Sequence, residues 1–217
     1  MLDFDAAIFD MDGTIIDSLG IWDKIDKEFL EIKRGIPVPP DYVEKISHMS
    51  FRETAEYTRK RFNLPDTPEE LMQEWTEMAQ YEYAHNIPLK PFAREYIEFL
   101  KKEGKKIILC TSSPKNFYEP VLKNNGIYNL FDAFTNTCEA GVGKSEPVVY
   151  LLAAKKAGVI PCRCIVFEDI LSAAQCAKKA DMLVCGVFDE RSLPHKKRLK
   201  ELCDIYIDSF KELLPKK

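Results

Sequence analysis

The stretch Ala6-Ala7-Ile8-Phe9-Asp10-Met11-Asp12-Gly13-Thr14 places two carboxylates directly after a short apolar run. Continuous rather than alternating hydrophobicity is typical of a strand that is buried on both faces of a parallel sheet. Ligands of open α/β sheets bind at the carboxyl ends of the strands. Two acids this close repel each other unless a cation or a shared proton intervenes, and Mg²⁺ prefers carboxylate oxygens. The stretch therefore predicts a magnesium site at Asp10 and Asp12, although Asp-x-Asp-Gly alone is also an ordinary polar turn.

Three later runs of the chain share this apolar character. They extend from Lys106 to Cys110, from Cys164 to Phe167 and from Met182 to Val187. Helix-like segments lie among them at 92–103, 148–157 and 171–180. Strands that alternate with helices predict an α/β fold with a doubly wound, Rossmann-like parallel sheet.

A long segment without a convincing strand separates the first apolar run from the second. We expect it to be helical, with helices at 19–33, from about Pro40, at 51–62 and at 68–84. Apolar side chains recur there at helical spacing, as at Ile21, Ile25, Phe29 and Ile32. The predicted organisation is a core made of residues 1–16 and 88–217, with an inserted helical domain at 17–87.

Composition restricts the possible partners. The net charge is −4 and the basic residues are scattered, so we expect no nucleic acid partner. No apolar run reaches the length needed to span a membrane, and Asp3 and Asp5 stand where a signal peptide carries positive charge. Seven cysteines at irregular spacing predict a reduced, cytoplasmic protein. We expect a monomer or a weak dimer without a membrane partner.

Polar residues also follow the later strands. Thr111 follows the second run, Lys144 lies in a Gly-Lys-Ser-Glu-Pro stretch, and Glu168 and Asp169 follow Phe167. Together with the stretch from Asp10 to Thr14 they make four motifs, and four motifs in this order resemble the haloacid dehalogenase-like superfamily. The helical insertion is similar in position to the type 1 cap of that family. The resemblance covers nearly the whole chain and implies a phosphate-transferring enzyme that acts on a small phosphorylated metabolite.

The resemblance also implies a role for each matching residue. Asp10 is expected to attack phosphorus and to form an aspartyl phosphate. Asp12 is expected to protonate the leaving oxygen and later to act as a base. Lys144 and Thr111 are expected to neutralise and hydrogen-bond the phosphoryl oxygens.

A magnesium cofactor is implied as well, held by Asp10, the backbone carbonyl of Asp12, Asp169 and the neighbouring acid Glu168. Substrate contacts are expected from Ser112, which follows Thr111, and from Arg52 in the helical insertion. Weaker candidates in the insertion are Lys45, His48 and Trp22. An exposed arginine is more often merely solvated, and a tryptophan is more often part of a core.

Other interpretations of these residues stay open. Lys144 could be a solvated loop lysine, and Glu168 with Asp169 could merely complement a helix dipole. A phosphate-binding loop of the Gly-x-x-x-x-Gly-Lys-Ser type is disfavoured because Cys138 stands where its first glycine is required. Asp12 disfavours a dehalogenase, since family dehalogenases lack this second aspartate.

The family patterns closest to this chain are those of β-phosphoglucomutases and phosphoglycolate phosphatases. A phosphatase and a mutase share the core motifs and differ in whether water or a sugar hydroxyl accepts the phosphoryl group. A metabolite-binding protein without catalysis is the remaining alternative. The chain departs from the family pattern at loop positions, among them Phe92 and Asp181, where glycine is common.

Overall fold

The computed structural model describes residues 3–46, 49–144 and 146–215. The chain divides into two compact units, Met1–Leu19 with Ile87–Lys217 and Gly20–Asn86. The first unit has an α/β fold, and the second is helical. The role of residues 17–87 as a cap stays a prediction.

A parallel sheet of six strands forms the centre of the α/β unit. Its strand order is β3-β2-β1-β4-β5-β6. The strands are β1 Ala6–Phe9, β2 Lys106–Thr111, β3 Ala133–Asn136, β4 Cys164–Glu168, β5 Leu183–Val187 and β6 Ile205–Ile207. The predicted α/β class with a parallel, doubly wound sheet is confirmed.

In the part of the helical unit that the structure describes, there are four α-helices and one π-helical segment. They are α1 Ile21–Lys27, the π-helix Glu28–Lys33, α2 Tyr42–Ile46, α3 Phe51–Phe62 and α4 Pro68–His85. Helices α3 and α4 each begin with a capping box, Ser50 with Glu53 and Thr67 with Glu70. These reciprocal hydrogen bonds explain why the two helix starts were predictable to the residue.

The apolar series of the first helix ends where the backbone changes to π-helical winding. Ile21, Ile25 and Phe29 are buried as their spacing predicts, but Ile32 is 78% exposed. A π-helix closes its hydrogen bonds over five residues rather than four. The wider turn rotates Ile32 away from the buried face.

The remaining helices pack on the sheet of the α/β unit. They are α5 Ala93–Lys102, α6 Lys115–Asn124, α7 Thr137–Ala140, α8 Val148–Ala157, α9 Leu171–Lys179 and α10 Lys196–Leu202. Short 3₁₀ segments lie at Tyr128–Leu130, Pro161–Arg163, Glu190–His195 and Phe210–Leu213.

Strand β1 lies at the centre of the sheet and is fully buried. Its Phe9 stacks on Phe167 of β4, with ring centroids 4.4 Å apart and planes 12° apart. Tyr96 of α5 meets Phe9 edge-on at 6.5 Å. This aromatic packing fixes β1 and β4 side by side and thereby fixes where their carboxyl ends project.

Two positions at which the family commonly carries glycine have left-handed backbone here. Phe92 has φ 65° and Asp181 has φ 59°. A side chain in this region costs roughly 1–2 kcal/mol because Cβ approaches the following carbonyl oxygen. The departures at Phe92 and Asp181 therefore leave the turns in place at some cost in stability.

Several elements escaped sequence prediction. Strand β3 is short and mostly half-buried, and α6 contains Pro120, so neither has a clear hydrophobic period. Cys110, Cys164 and Cys185 are buried in strands. Among the described residues, none of the helices has both the length and the apolar character that crossing a bilayer requires.

Candidate active site

The carboxyl ends of β1, β2 and β4 meet at one edge of the sheet and bring the predicted site residues there. Asp10 directly follows β1, and its backbone N–H donates to the carbonyl oxygen of Phe167 at 3.0 Å. Thr111 and Glu168 are the last residues of β2 and β4. Asp10, Thr111 and Glu168 are all buried. These three residues are thus positioned by the ends of buried strands.

Lys144 joins two of these acids, although it lies in a loop between α7 and α8. Its Nζ donates to Asp10 Oδ1 and to Glu168 Oε1, the latter at 2.7 Å. Only 10% of the Lys144 side chain is exposed. Burial by itself would lower the pKa of this lysine, but the carboxylates of Asp10 and Glu168 outweigh burial and raise it. Lys144 is therefore a fixed positive charge in the site, not a solvated loop lysine.

Glu168 is fully buried, and each of its oxygens accepts two hydrogen bonds. Oε1 accepts from Lys144 and from the hydroxyl of Tyr150 at 3.1 Å. Oε2 accepts from the backbone N–H groups of Asp169 at 3.0 Å and Ile170 at 3.2 Å. These four donors fix the carboxylate of Glu168, which in turn orients Lys144.

Carboxylate oxygens of Asp10, Glu168 and Asp169 lie within 4.8 Å of one another. Burial raises the pKa of Asp169 to about 8, and the charges of Asp10 and Glu168 add to this effect. Burial also raises the pKa of Asp10, although Lys144 opposes it. Among the described residues, these three buried acids share Lys144 as a basic partner, so acids outnumber basic groups within the cluster. A hard divalent cation with oxygen ligands fits this donor set.

Gly13 and Thr14, which follow Asp12 in the first motif, both contact Asp169. Gly13 has φ +82°, and a Cβ built on it would lie 2.6 Å from Asp169 Oδ2. No side chain fits there without displacing this carboxylate. The Thr14 hydroxyl donates to Asp169 Oδ1 at 3.1 Å. Residues 13 and 14 thus position an acid that is distant in sequence.

Asp12 is not one of the three clustered acids, and it is half-buried. Its Oδ2 accepts a hydrogen bond from the Ser113 hydroxyl at 2.9 Å. The backbone N–H of Ser113 in turn donates to Thr111 Oγ1 at 3.0 Å. Asp12 and Thr111 therefore share Ser113 as a neighbour.

The predicted substrate contact Ser112 has a different environment. It is exposed, and its carbonyl oxygen accepts from Thr137 Oγ1 at 3.3 Å. Sequence reasoning missed Ser113 and Tyr150. Ser113 was adjacent to the predicted residue, whereas Tyr150 lies within an apolar helix and gave no signal that separates it from core aromatics.

The candidates from the helical unit are described within that unit only. Arg52 pairs with Glu69 at 2.8 Å and with Glu56 at 3.4 Å, and Lys45 pairs with Asp41 at 3.1 Å. Trp22 is 46% exposed and contacts Phe51 edge-on, with ring centroids 5.8 Å apart. His48 lies outside the described residues. Arg52 and Lys45 are thus engaged by acids of their own unit.

The sheet order and this group of acids around a lysine define the class of protein. The chain belongs to the haloacid dehalogenase-like hydrolases, because the model of that family matches residues 4–181. Hexitol phosphatase B of Escherichia coli K12 is 30% identical over 182 residues, which cover 82% of this chain and 80% of the relative. The phosphorylated carbohydrates phosphatase of Thermotoga maritima is 27% identical over 176 residues, which cover 81% of each chain.

The fold is similar to that of a solved enzyme structure as well. A candidate β-phosphoglucomutase of Thermotoga maritima superposes with a TM-score of 0.84 at 25% identity, over 97% of this chain and 96% of that one. Together these relatives show that the chain is an enzyme of the phosphatase and phosphomutase type.

Proposed function

We propose that this protein is a magnesium-dependent phosphatase or phosphotransferase that acts on a small phosphorylated carbohydrate or a similar metabolite through an aspartyl phosphate on Asp10. The observation that carries the proposal is the position of Lys144, which is held between Asp10 and Glu168 beside Asp169. The named activities of the two bacterial relatives support the substrate class.

The first half-reaction transfers the phosphoryl group to Asp10. An Asp10 carboxylate oxygen attacks phosphorus while the bond from phosphorus to the ester oxygen breaks. Asp12 gives its proton to the departing oxygen, which leaves as an alcohol. Lys144 lies beside the attacking carboxylate, where its charge stabilises the negative oxygens of the transferring group.

The second half-reaction regenerates the enzyme. A water molecule attacks the phosphorus of the aspartyl phosphate, and Asp12, now a carboxylate, accepts its proton. The bond from phosphorus to Asp10 breaks and inorganic phosphate leaves. The hydroxyl of Ser113 holds the Asp12 carboxylate during both proton transfers.

The side chains of Asp10 and Asp169 and the backbone carbonyl of Asp12 are the proposed ligands of Mg²⁺. Glu168 is proposed to act through Lys144 because its oxygens already accept four donors. When bound by these residues, the cation would supply positive charge that offsets the repulsion between the phosphate and the Asp10 carboxylate.

The proposal is tested by hydrolysis of an aryl phosphate and of a panel of phosphorylated hexoses, hexitols and pentoses with Mg²⁺. We expect turnover by the wild type and its loss in Asp10→Asn, which keeps the shape of the side chain. Asp208→Asn is a matched control because Asp208 is exposed and pairs with Lys196. Equal inactivity of the wild type and Asp10→Asn on every substrate would support the non-catalytic alternative.

A second candidate function is intramolecular phosphate transfer of the β-phosphoglucomutase type. The similarity to the candidate β-phosphoglucomutase structure favours it. The test is incubation with β-glucose 1-phosphate and its bisphosphate activator. A mutase yields glucose 6-phosphate without net phosphate release, whereas a phosphatase releases inorganic phosphate. A cytoplasmic location and a monomeric or weakly dimeric state remain predictions beside either function.

A further inference from the structure

A second buried ion pair lies next to the proposed cation site, and the mechanism above does not use it. Lys90 Nζ donates to Asp189 Oδ2 at 2.9 Å and to the carbonyl oxygen of Phe188 at 2.7 Å. The Lys90 and Asp189 side chains are 14% and 2% exposed. Burying an ion pair is seldom favourable for stability alone. The pair therefore calls for a functional reason.

Asp189 and the proposed ligand Asp169 both approach Gly13. A Cβ built on Gly13 would lie 3.3 Å from Asp189 Oδ2 and 2.6 Å from Asp169 Oδ2. The segment that begins at Asp189 also holds the Asp169 backbone, because Ser192 Oγ donates to the Asp169 carbonyl at 2.5 Å. Asp189 is thus a fourth carboxylate beside three that already lack enough positive charge.

Lys90 is fixed to the chain that follows the first motif. Its backbone N–H donates to the Ile15 carbonyl at 2.9 Å, and the Asp17 N–H donates to the Pro88 carbonyl at 3.0 Å. An antiparallel bridge joins Ile16 and Leu89. The lysine is therefore held at the same loop that contains Asp10, Asp12 and Gly13.

We propose that Lys90 and Asp189 are positioning residues for the cation site. Asp189 packs against the Gly13 turn and supports the segment that holds Asp169. Lys90 is the more buried of its two basic partners, the other being Arg191 at 3.5 Å, and it offsets the charge of Asp189 and keeps it from acting as a competing ligand. This inference rests on the proposed function, since it requires a divalent cation at Asp10 and Asp169.

The experiment measures Mn²⁺ binding by calorimetry, together with kcat and KM, for Lys90→Met and Asp189→Asn. Lys90→Met leaves Asp189 with the more exposed Arg191, at 3.5 Å, as its remaining basic partner, so the negative charge beside the site is less compensated and Mn²⁺ binding should strengthen about threefold. Asp189→Asn removes a nearby negative charge, so binding should weaken about threefold. In both variants kcat should fall about tenfold with KM within twofold, because the Gly13 turn and Asp169 lose support.

A third readout uses the protein without metal. Amide hydrogens of residues 13–16 should exchange about tenfold faster in Asp189→Asn than in the wild type, because their turn packs against this side chain. The matched controls are Lys178→Met and Asp204→Asn, a lysine–aspartate pair of 2.8 Å in the same unit. Asp204 accepts from the Val184 N–H at the start of β5, so this pair lies at the amino edge of the sheet. These controls should leave Mn²⁺ affinity and kcat unchanged.

Opposite shifts of Mn²⁺ affinity in the two variants distinguish charge compensation from a loss of folding, which would weaken binding in both. Shifts in the same direction, or affinities equal to that of the wild type, would overturn the inference while leaving the proposed function intact. Absence of Mn²⁺ binding in the wild type would instead refute the cation of the proposed function, and the inference with it.

Discussion

Both edges of the parallel sheet carry basic side chains paired with aspartates, and among the described residues the pairs at the carboxyl edge are far more buried than those at the amino edge. There, the side chains of Lys144 and Asp10 are 10% and 8% exposed. At the amino edge, Arg163 pairs with Asp3 and Asp5, and these three side chains are 33%, 79% and 50% exposed. The chemistry of the pairs is similar, and their solvation is not.

The difference shows where the molecule accepts a cost in stability. Removing a charged pair from water costs several kcal/mol, and well-packed apolar residues would often serve stability better. An exposed pair costs little and contributes little. The carboxyl edge therefore bears a penalty that packing does not require, which is the pattern expected of a site built for charged substrates.

The largest expected effect is the loss of turnover when Asp12, at the carboxyl edge, is replaced. Asp12→Asn removes the proposed acid and base, so kcat should fall about 10³-fold, equivalent to about 4 kcal/mol. Cation binding should stay within threefold because Asp12 is expected to contribute only its backbone carbonyl. Steady-state kinetics and Mn²⁺ titration measure the two quantities. Unchanged turnover would remove Asp12 from the acid–base role.

Replacement of Lys144 at the same edge is expected to have the second largest effect. Lys144→Met leaves Asp10 and Glu168 buried without their partner, and breaking a buried pair in this way costs about 3 kcal/mol of unfolding free energy. We also expect kcat to fall about 10²-fold. Denaturant unfolding and kinetics would show both effects. A variant of wild-type stability would mean that the acids find protons or water at little cost.

Asp169 gives a pH test of the same comparison. Its pKa is about 8 in the folded protein and about 4 in the unfolded chain. The metal-free protein therefore loses stability as the pH rises from the unfolded pKa to the folded pKa. In EDTA, Asp169→Asn should therefore be more stable than the wild type at pH 8 by at least about 2 kcal/mol and equal to it near pH 4. Denaturant unfolding at both pH values measures this. A difference that does not depend on pH would contradict the raised pKa.

Sequence indicated the carboxyl edge better than the contacts within it. Asp10, Lys144 and Asp169 follow recognisable motifs, and buried strands place such residues at one edge. The residues that support the predicted site residues were not predictable from sequence. Ser113, Tyr150 and Asp189 reach the site only through tertiary packing. Strand β3 was not predicted, because a short strand of mostly half-buried residues has no clear hydrophobic period. The exposure of Ile32 was also not predicted, because an apolar series at regular α-helical spacing gives no sign that the backbone changes to a π-helix.

The smallest expected effect is at the amino edge. Arg163 lowers the pKa of Asp3 and Asp5, chiefly by hydrogen bonds, so any stability that the pair contributes is present above the unfolded pKa and is lost as pH falls. This pH dependence is opposite in sign to that of Asp169. Because the three side chains are solvated, Arg163→Met should shift the unfolding temperature by no more than about 2 °C at pH 7 and leave kcat unchanged. Calorimetry and the phosphatase assay check both values. A loss of activity in Arg163→Met would show that the amino edge also supports the chemistry, and the contrast between the two edges would then fail.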